Sequence, residues 1–276
     1  MEGNVSPREA EKLIAEGAHV LDVRTAEEFA QLGHVPGARL LPIHLVAAAP
    51  AVVPEDGRPI VVCCEHGIRS RQAAAFLVRA GVPGVVNMAG GMSAWEGPRE
   101  YGEGRIDGPC SWLLANADLL PRIGRALDVA CGRGRHALLL AAAGIGVHAL
   151  DRDAGRIGSL AAIADRLKLP VVAEVVDVED GTAHLGREAY DLVLVVHYLH
   201  RPLFPALVRA LAPGGLLIYE TFTTAQAQRG KPSNPAFLLE PGELPRLVAA
   251  LQVLRQREGE FEGRMVAGIV ARKAAG

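Results

Sequence analysis

Aromatic residues, cysteines and long hydrophobic runs are all scarce in this sequence. Only 4% of its 276 residues are aromatic, and only four are cysteines. No apolar run approaches the roughly 20 residues that a membrane-spanning helix needs, so we expect no membrane association. Four cysteines in a chain of this length, without the spacing of a zinc site, indicate free thiols. We therefore predict neither a disulfide framework nor a bound metal.

A strong charge of either sign is also lacking. The formal net charge is −2, which provides no attraction toward nucleic acid, and the few aromatic rings offer little surface on which bases could stack. We therefore predict small-molecule partners and no nucleic acid. The first residues contain neither the basic segment nor the continuous apolar segment of a signal peptide, so we expect a cytoplasmic protein. Nothing in the sequence indicates an oligomeric state.

The first hundred residues alternate short apolar runs with helical patterns, which predicts an α/β fold with a parallel sheet. The predicted strands are residues 18–23, 59–64 and 84–88, and the predicted helices are residues 25–33 and 70–81. Residues 97–110 are rich in glycine, proline and charge, which is typical of a linker. We place the domains at residues 1–101 and 102–276, because the chain is long enough for two.

The alternation restarts near residue 126 and then ends differently. The predicted strands are residues 125–130, 147–153, 170–178, 190–196 and 214–222. Near-continuous apolar strands of this kind indicate a sheet covered on both faces. Residues 251–273 contain two strand-like runs around a turn and no helix. The pattern therefore predicts a mostly parallel sheet closed by an antiparallel hairpin.

Two adjacent cysteines, Cys63 and Cys64, end a predicted strand and precede the loop "EHGIRS". Because side chains alternate along a strand, Cys63 should pack inside the sheet while Cys64 faces the loop. The loop N–H groups, the start of the next helix and Arg69 would lower the pKa of the Cys64 thiol and stabilise an anionic persulfide. We predict Cys64 and Arg69 as catalytic residues.

Three segments in this half resemble the single-domain rhodanese family. They are "VLDVRTAEEFAQLGHVPGARLLP" (20–42), "CEHGIRS" (64–70) and "VVNMAGGMSAW" (85–95). The resemblance implies a sulfurtransferase whose loop cysteine, Cys64 by position, carries a persulfide sulfur. Asp22 and Arg24 match the family's acid and base after the first strand, and we expect a salt bridge between them.

The loop from Cys64 to Arg69 has six residues. The related dual-specificity phosphatases have one residue more, so the shorter loop favours a sulfur-sized cargo over phosphate. His66 is a candidate base, although an exposed loop histidine is usually only solvated. Glu65 is acidic where many sulfurtransferases have a basic residue, which argues against thiosulfate as the natural donor.

A second glycine turn, "LDVACGRG" (127–134), follows a predicted strand and precedes a predicted helix. Asp151 ends the next strand, where an acid can reach a ribose diol. The turn departs from a dinucleotide fingerprint because Ala130 replaces the first glycine and Asp128 would repel a pyrophosphate. A carboxylate at this place favours a cationic or zwitterionic ligand instead.

These departures resemble the class I S-adenosylmethionine-dependent methyltransferases, whose fold is Rossmann-like and whose closing strands are antiparallel. The resemblance covers about residues 110–276 and is greatest to the tellurite-resistance type, which acts on small chalcogen or thiol acceptors. It implies S-adenosyl-L-methionine as cofactor. By matched position, the cofactor-binding residues are Asp128, Ala130, Gly132, Gly134, Asp151, Asp177 and Val178. Cys131 is expected to be core.

The acceptor should lie near the carboxyl ends of the fourth and fifth strands. We predict His197, Tyr198 and His200 on the acceptor side, and further candidates there are Arg201, Glu220, Thr221 and Phe222. Residues 223–244 are long, polar and proline-rich, and could form a lid. Trp112 could shield the cofactor from the other side.

The leading interpretation is a methyltransferase fused to a sulfurtransferase, in which sulfur from the Cys64 persulfide becomes the methyl acceptor. Two alternatives stay open at this point. The first domain could be a non-catalytic regulatory module, or the second could bind the cofactor as a sensor without transferring its methyl group.

Overall fold

The computed structural model describes residues 3–181 and 183–275. The chain divides into two compact units, Met1–Pro109 with Ala162–Lys168, and Cys110–Ala161 with Leu169–Gly276. The predicted boundary between residues 101 and 102 precedes this change of unit. Part of the stretch predicted as a linker pairs with the first unit, since Glu100 bridges to His34 and Ile106 to Leu40. No helix among the described residues has the length and apolar character needed to cross a membrane.

The first unit contains a parallel five-stranded sheet in the order β1-β5-β4-β2-β3. Its strands are β1 (Gly3–Val5), β2 (His19–Asp22), β3 (Arg39–Leu40), β4 (Ile60–Cys63) and β5 (Val85–Met88). Its helices are α1 (Pro7–Ala15), α2 (Ala26–Gln31), α3 (Ala49–Val52) and α4 (Ile68–Arg79). Thr25 caps α2 through a capping box with Glu28. β4 is buried along its whole length because it lies in the middle of the sheet.

The second unit contains a seven-stranded sheet in the order β11-β12-β10-β9-β6-β7-β8. Its strands are β6 (Arg125–Val129), β7 (Gly146–Asp151), β8 (Val171–Val175), β9 (Tyr190–Val196), β10 (Leu211–Phe222), β11 (Gln252–Phe261) and β12 (Arg264–Arg272). Its helices are α5 (Ser111–Ala115), α6 (Arg135–Ala142), α7 (Ala154–Leu167), α8 (Phe204–Ala210) and α9 (Glu243–Leu247), although the residues of α7 from Ala162 onward are grouped with the first unit. Strands β6 to β10 pair in parallel, while β12 is antiparallel to β10 and β11 is antiparallel to β12.

The predicted fold class is confirmed. Both units are α/β, and the second is a Rossmann-like sheet closed by the antiparallel hairpin β11–β12. Strands β1 and β3 were not predicted, because three and two residues are too few to show an alternating pattern. β8 ends at Val175 instead of residue 178, so Asp177 and Val178 lie in the loop beyond it.

Candidate active sites

The Cys64 loop is a tight turn between β4 and α4. Gly67 caps the start of α4 with a φ of +79°, a conformation that favours glycine. The turn is held from its other side, since the Met92 N–H donates to the Cys64 carbonyl at 2.8 Å and the Ser93 N–H to the Glu65 carbonyl at 2.9 Å. A Cβ at Gly91 would collide with these two carbonyl groups. The loop therefore depends on a glycine in a second segment.

Hydrogen bonds converge on the Cys64 sulfur. Burial is the largest single influence on the pKa of this thiol, and it raises the pKa. The Ser70 hydroxyl and the backbone N–H groups of Ser70, His66 and Gly67 act in the opposite direction, and together they outweigh burial. The pKa of the Cys64 thiol is therefore lowered from its usual value. The Ser70 Oγ lies 3.2 Å from the sulfur. The thiolate is therefore favoured at Cys64. At Cys63, burial followed by the Asp22 charge raises the pKa well above its usual value, as expected for a core cysteine.

Arg69, the second predicted catalytic residue, binds a carboxylate. Its Nη1 and Nη2 donate to the two oxygens of Glu28 at 2.8 and 2.5 Å. These bonds are the main reason why the pKa of Glu28 falls to about 2. The positive charge of Arg69, at the Cys64 loop, is therefore balanced by the negative charge of Glu28. A catalytic role for Arg69 stays a prediction.

Arg24 is fully buried and connects β2 to the Cys64 loop. It donates to both oxygens of Asp22 at 2.8–3.1 Å, to the Gly33 carbonyl at 2.7 Å and to Glu65 at 2.9 Å. The expected Asp22–Arg24 salt bridge is present. Glu65 is not a free surface acid, because it forms an ion pair with Arg24. His66 is exposed, and its Nδ1 lies 3.1 Å from the Ser93 hydroxyl.

The glycine turn after β6 opens onto a cleft. Ala130 and Gly132 have φ values of +55° and +59°, and a Cβ at Gly132 would meet nothing within 4 Å. At Gly134, with a φ of +81°, a Cβ would collide with Leu160 on α7. Gly132 therefore borders open space, while Gly134 allows α6 and α7 to pack. Cys131 is buried as expected, and burial raises the pKa of its thiol.

Asp151 closes the turn at the end of β7. Its Oδ2 accepts the Gly132 N–H at 2.8 Å, and its Oδ1 accepts the Asp153 N–H at 3.0 Å. Asp177 accepts the Glu179 N–H at 2.9 Å. Each carboxylate keeps further lone pairs for a ligand.

Asp128 lies beneath the turn and not in the cleft wall. It is 1% exposed, and its Oδ2 has no hydrogen-bond partner among the described residues. Burial raises the pKa of its carboxyl to about 7, against the opposing charge of Arg135. A positively charged group close to Asp128 would therefore favour the ionised form of its carboxyl.

The cleft has a volume of about 380 Å³. The predicted residues that line it are Ala130, Gly132, Asp151, Asp177, Val178, His197, Tyr198 and Phe222. The His197 ring stacks on Phe222 with centroids 4.8 Å apart, and the Tyr198 hydroxyl donates to Glu179 at 3.0 Å. Pro232 and Phe237, from the segment predicted as a lid, also line the cleft.

Several cleft residues escaped sequence reasoning. They are Leu150, Arg152, Arg156, Val176, Glu179, Leu199, Pro232 and Phe237. Arg152 follows Asp151 directly, so its position in the chain could have indicated it. Pro232 and Phe237 reach the cleft from the irregular segment 223–244, whose composition predicted a lid but not which of its residues would face the cleft.

Other acceptor candidates lie outside the cleft wall. His200 and Arg201 do not line it, and Arg201 instead binds Glu243 and the carbonyls of Ala236 and Leu238, which fastens the segment that carries Phe237. The donors of Arg201 are taken by that segment, and an acceptor contact of His200 or Arg201 stays a prediction.

Glu220 and Trp112 belong to a separate buried cluster. Glu220 accepts from the Cys110 thiol at 2.8 Å and pairs with Arg257. The Arg257 guanidinium lies over the Trp112 ring, 4.8 Å from its centroid. Thr221 is buried as well. Trp112 and Glu220 fasten α5 to the antiparallel strands, and the ligand contacts expected of them stay predictions.

Comparisons with known proteins agree with this division. The rhodanese-like domain family matches residues 6–98, and the family described as tellurite resistance protein TehB matches residues 114–233. The chain is 42% identical over 76 residues to a sulfurtransferase of Allochromatium vinosum, covering 28% of this chain and 69% of that protein. It is 37% identical over 91 residues to a thiosulfate sulfurtransferase GlpE of Pseudomonas aeruginosa, covering 33% of this chain and 81% of that protein.

Among solved structures, the [4+2]-cyclase SpnF superposes with a TM-score of 0.50 at 17% identity, covering 60% of this chain and 80% of that one. At this identity the likeness shows the Rossmann-like fold alone. The two family matches are specific to their parts of the chain. The chain therefore belongs to the rhodanese family in its first domain, while residues 114–233 of its second domain match the TehB family model. It is an enzyme that joins a sulfurtransferase domain to a methyltransferase domain whose cofactor is S-adenosylmethionine.

Proposed function

We propose that the second domain transfers a methyl group to a small thiol or chalcogen acceptor, and that the first domain carries sulfur as a persulfide on Cys64. The observation that most directly supports the first part is the cleft of about 380 Å³. Asp151 and Asp177 line it together with His197 and Tyr198. One space therefore holds groups suited to a nucleoside and groups suited to an acceptor.

The residues of the cleft fit S-adenosylmethionine in their chemistry. The free lone pairs of Asp151 suit the ribose hydroxyls, and Val178 offers an apolar surface for the adenine. The open side of Gly132 leaves room for the methionine end. Asp128 fits by charge and not by contact, because a positive group above the turn would favour the ionised form of its unpartnered carboxylate.

The bound cofactor supplies a methyl group that is already activated, so the chain has to orient an acceptor and exclude water. Proximity and orientation alone account for roughly 7–11 kcal/mol of a barrier. His197 stacks on Phe222, and Pro232 and Phe237 add apolar walls. Burial, followed by the bond to Glu179, raises the pKa of Tyr198 and keeps its hydroxyl neutral. The apolar walls of Phe222, Pro232 and Phe237 and the neutral Tyr198 hydroxyl suit a small, soft acceptor atom.

The sulfur chemistry of the first domain is supported by the lowered pKa of Cys64. The thiolate is the nucleophile in attack on a sulfane sulfur. The N–H groups that stabilise the thiolate would also stabilise the terminal charge of a persulfide at the same place.

The first experiment incubates the full chain with methyl-labelled S-adenosylmethionine and, separately, sulfide, selenite, tellurite, thiosulfate or a small thiol. We expect volatile labelled product in the headspace with at least one of these acceptors. Intact-mass measurement of the protein after treatment with a sulfane donor should show one added sulfur, and this addition should be lost in Cys64→Ser.

Two results would contradict the proposal. Cofactor binding without any volatile label would favour a larger acceptor or a sensor. An unmodified Cys64 after every sulfane donor would favour a regulatory role for the first domain.

A further inference from the structure

Arg99 is a half-buried arginine in residues 97–110, the stretch predicted as a linker. Its Nη1 donates to the Leu32 carbonyl at 2.8 Å. Its Nη2 donates to the carbonyls of Met92 and Trp95 at 2.5 and 3.2 Å. A guanidinium that bonds three backbone carbonyls fixes the path of the chain around it, because its donors form a rigid planar fork.

The Met92 carbonyl belongs to a peptide unit that holds the Cys64 loop. The other half of this planar unit is the Ser93 N–H, which points in the direction opposite to the carbonyl. The Ser93 N–H donates to the Glu65 carbonyl at 2.9 Å. Arg99 therefore bonds one side of the unit whose other side holds the loop. Its positive charge also polarises the unit, which strengthens the Ser93 N–H as a donor.

A second peptide unit leads from the Glu65 carbonyl to the sulfur. Its other half is the His66 N–H, which points away from Ser93 because the Glu65 carbonyl is held there. The His66 N–H is one of the loop groups that bond to the Cys64 sulfur and favour its thiolate. Two peptide units thus join Arg99 to this sulfur in one series of hydrogen bonds.

We infer that Arg99 is a positioning residue of the sulfurtransferase site, which aims the His66 N–H at the Cys64 sulfur through these two peptide units. This inference rests on the proposed function, in which Cys64 carries sulfur. The attacking thiolate and the persulfide that it becomes are both anionic, so both gain from an N–H that is held in place. A residue of the predicted linker would then belong to the machinery of the first domain.

The other charged groups at the loop are arranged differently. Two arginines there are offset by carboxylates, and the pairs are Arg24 with Asp22 and Glu65, and Arg69 with Glu28. Among the described residues, Arg99 forms no ion pair. Its charge therefore acts on the two peptide units without a carboxylate beside it. The paired groups and the exposed His66 ring stay the same in the variants below.

Arg99→Gln removes the charge and the fork of donors. It should raise the pKa of the Cys64 thiol by roughly 0.5–1 unit, because a misdirected N–H weakens a hydrogen bond to the sulfur without deleting it. Alkylation of Cys64 by iodoacetamide in the full chain, followed by mass spectrometry against pH, gives this pKa. Sulfur addition from thiosulfate or a hydropersulfide, measured below that pKa, should slow by roughly three- to tenfold.

Arg99→Lys separates position from charge. It keeps the positive charge, but a single ammonium cannot hold three carbonyls in the geometry of the fork. The pKa of Cys64 in this variant should therefore stay closer to that of Arg99→Gln than to that of the unaltered chain. If Arg99→Gln does not fold, Arg99→Lys still provides the test, because it should raise the pKa in the same direction.

Arg39→Gln is the matched control. Arg39 is also half-buried and also fastens the predicted linker, since it donates to the Val52 carbonyl at 2.8 Å and pairs with Asp107 at 2.7 Å. It lies on β3, which β2 separates from β4 and the Cys64 loop. This control should leave the pKa of Cys64 unchanged.

Three results would overturn the inference alone, because Cys64 would still gain sulfur. They are an unchanged pKa in Arg99→Gln, a pKa in Arg99→Lys equal to that of the unaltered chain, and an equal rise in Arg39→Gln. An unaltered chain whose Cys64 is alkylated but gains no sulfur from either donor would overturn the proposed function as well.

Discussion

Ser70 donates a hydrogen bond from a fully buried hydroxyl to the Cys64 sulfur. This bond favours the thiolate, so Ser70→Ala should raise the pKa of the Cys64 thiol. A hydrogen bond to a charged group contributes about 1.5–3 kcal/mol, which corresponds to a rise of roughly one pKa unit or more. The sulfur-addition rate, which rises with pH as the thiolate forms, should then need a higher pH. Thiolate absorbance measured against pH gives the shift directly.

Ser93→Ala provides the matched control for this prediction. The Ser93 hydroxyl donates to the Gly90 carbonyl and lies beside the His66 ring, so its removal deletes a nearby hydroxyl without deleting the bond to the sulfur. An equal shift in both variants would mean that general loosening of the loop, and not the Ser70 bond, sets the pKa of Cys64.

At the residue scale, the sequence predicted those side chains whose position follows from a local motif. Cys64 follows a buried strand and precedes a helix start, and Asp151 ends the strand after the glycine turn. Their neighbours are set by tertiary packing. Arg24 and Glu65 are 41 positions apart, as are Arg69 and Glu28, so the balance of charge around the Cys64 loop could not be read from local spacing.

The antiparallel strands of the second domain depend on one glycine. Gly268 on β12 is in register with Glu220 on β10 and with Arg257 on β11. Having no side chain, it lets the Glu220–Arg257 ion pair form across the middle strand and lets the Trp112 ring lie over that strand. Three strands and α5 are therefore joined at one point.

Gly268→Ala should disturb the packing of Trp112 on β12 and lower the free energy of unfolding. Its Cβ would lie 3.0–3.1 Å from the Trp112 indole, tighter than ordinary contact, so the ring or the strand must move. Overpacking of this kind costs about 1–3 kcal/mol of the free energy of unfolding, which urea denaturation of the second domain would measure. Gly158→Ala on α7 is the control, because its Cβ meets nothing within 4 Å. That change should stabilise the helix by roughly 0.5–1 kcal/mol.

At the element scale, the length of each strand decided whether it could be predicted from the sequence. The long apolar strands and the closing hairpin were recognised because a period of two residues repeats several times within them. Strands β1 and β3 are too short to show that period. The role of Gly268 needs the register of three strands, β10, β12 and β11, which no single segment of sequence contains. The segment that carries Pro232 and Phe237 was expected as a lid from its composition, but its aromatic contribution to the cleft was not.

At the scale of the whole molecule, the two domains carry chemistries that can follow one another. A Cys64 persulfide reacts with two equivalents of a thiol to give the Cys64 thiol, hydrogen sulfide and a disulfide, with the thiols supplying the electrons. Hydrogen sulfide is a small, soft nucleophile of the kind proposed for the cleft of the second domain. Sulfur delivered by the first domain would then leave the second as methanethiol.

This sequence of reactions can be tested by loading Cys64 with an isotopically heavy sulfur and removing the free donor. Addition of a reducing thiol and S-adenosylmethionine to the loaded full chain should release heavy methanethiol, in an amount no greater than the loaded Cys64. Cys64→Ser cannot be loaded and should release none, yet it should methylate added sulfide as well as the unaltered chain does, because its cleft is intact. If the loaded chain released heavy sulfide but no heavy methanethiol while methylating added sulfide, the two reactions would be independent activities of one polypeptide.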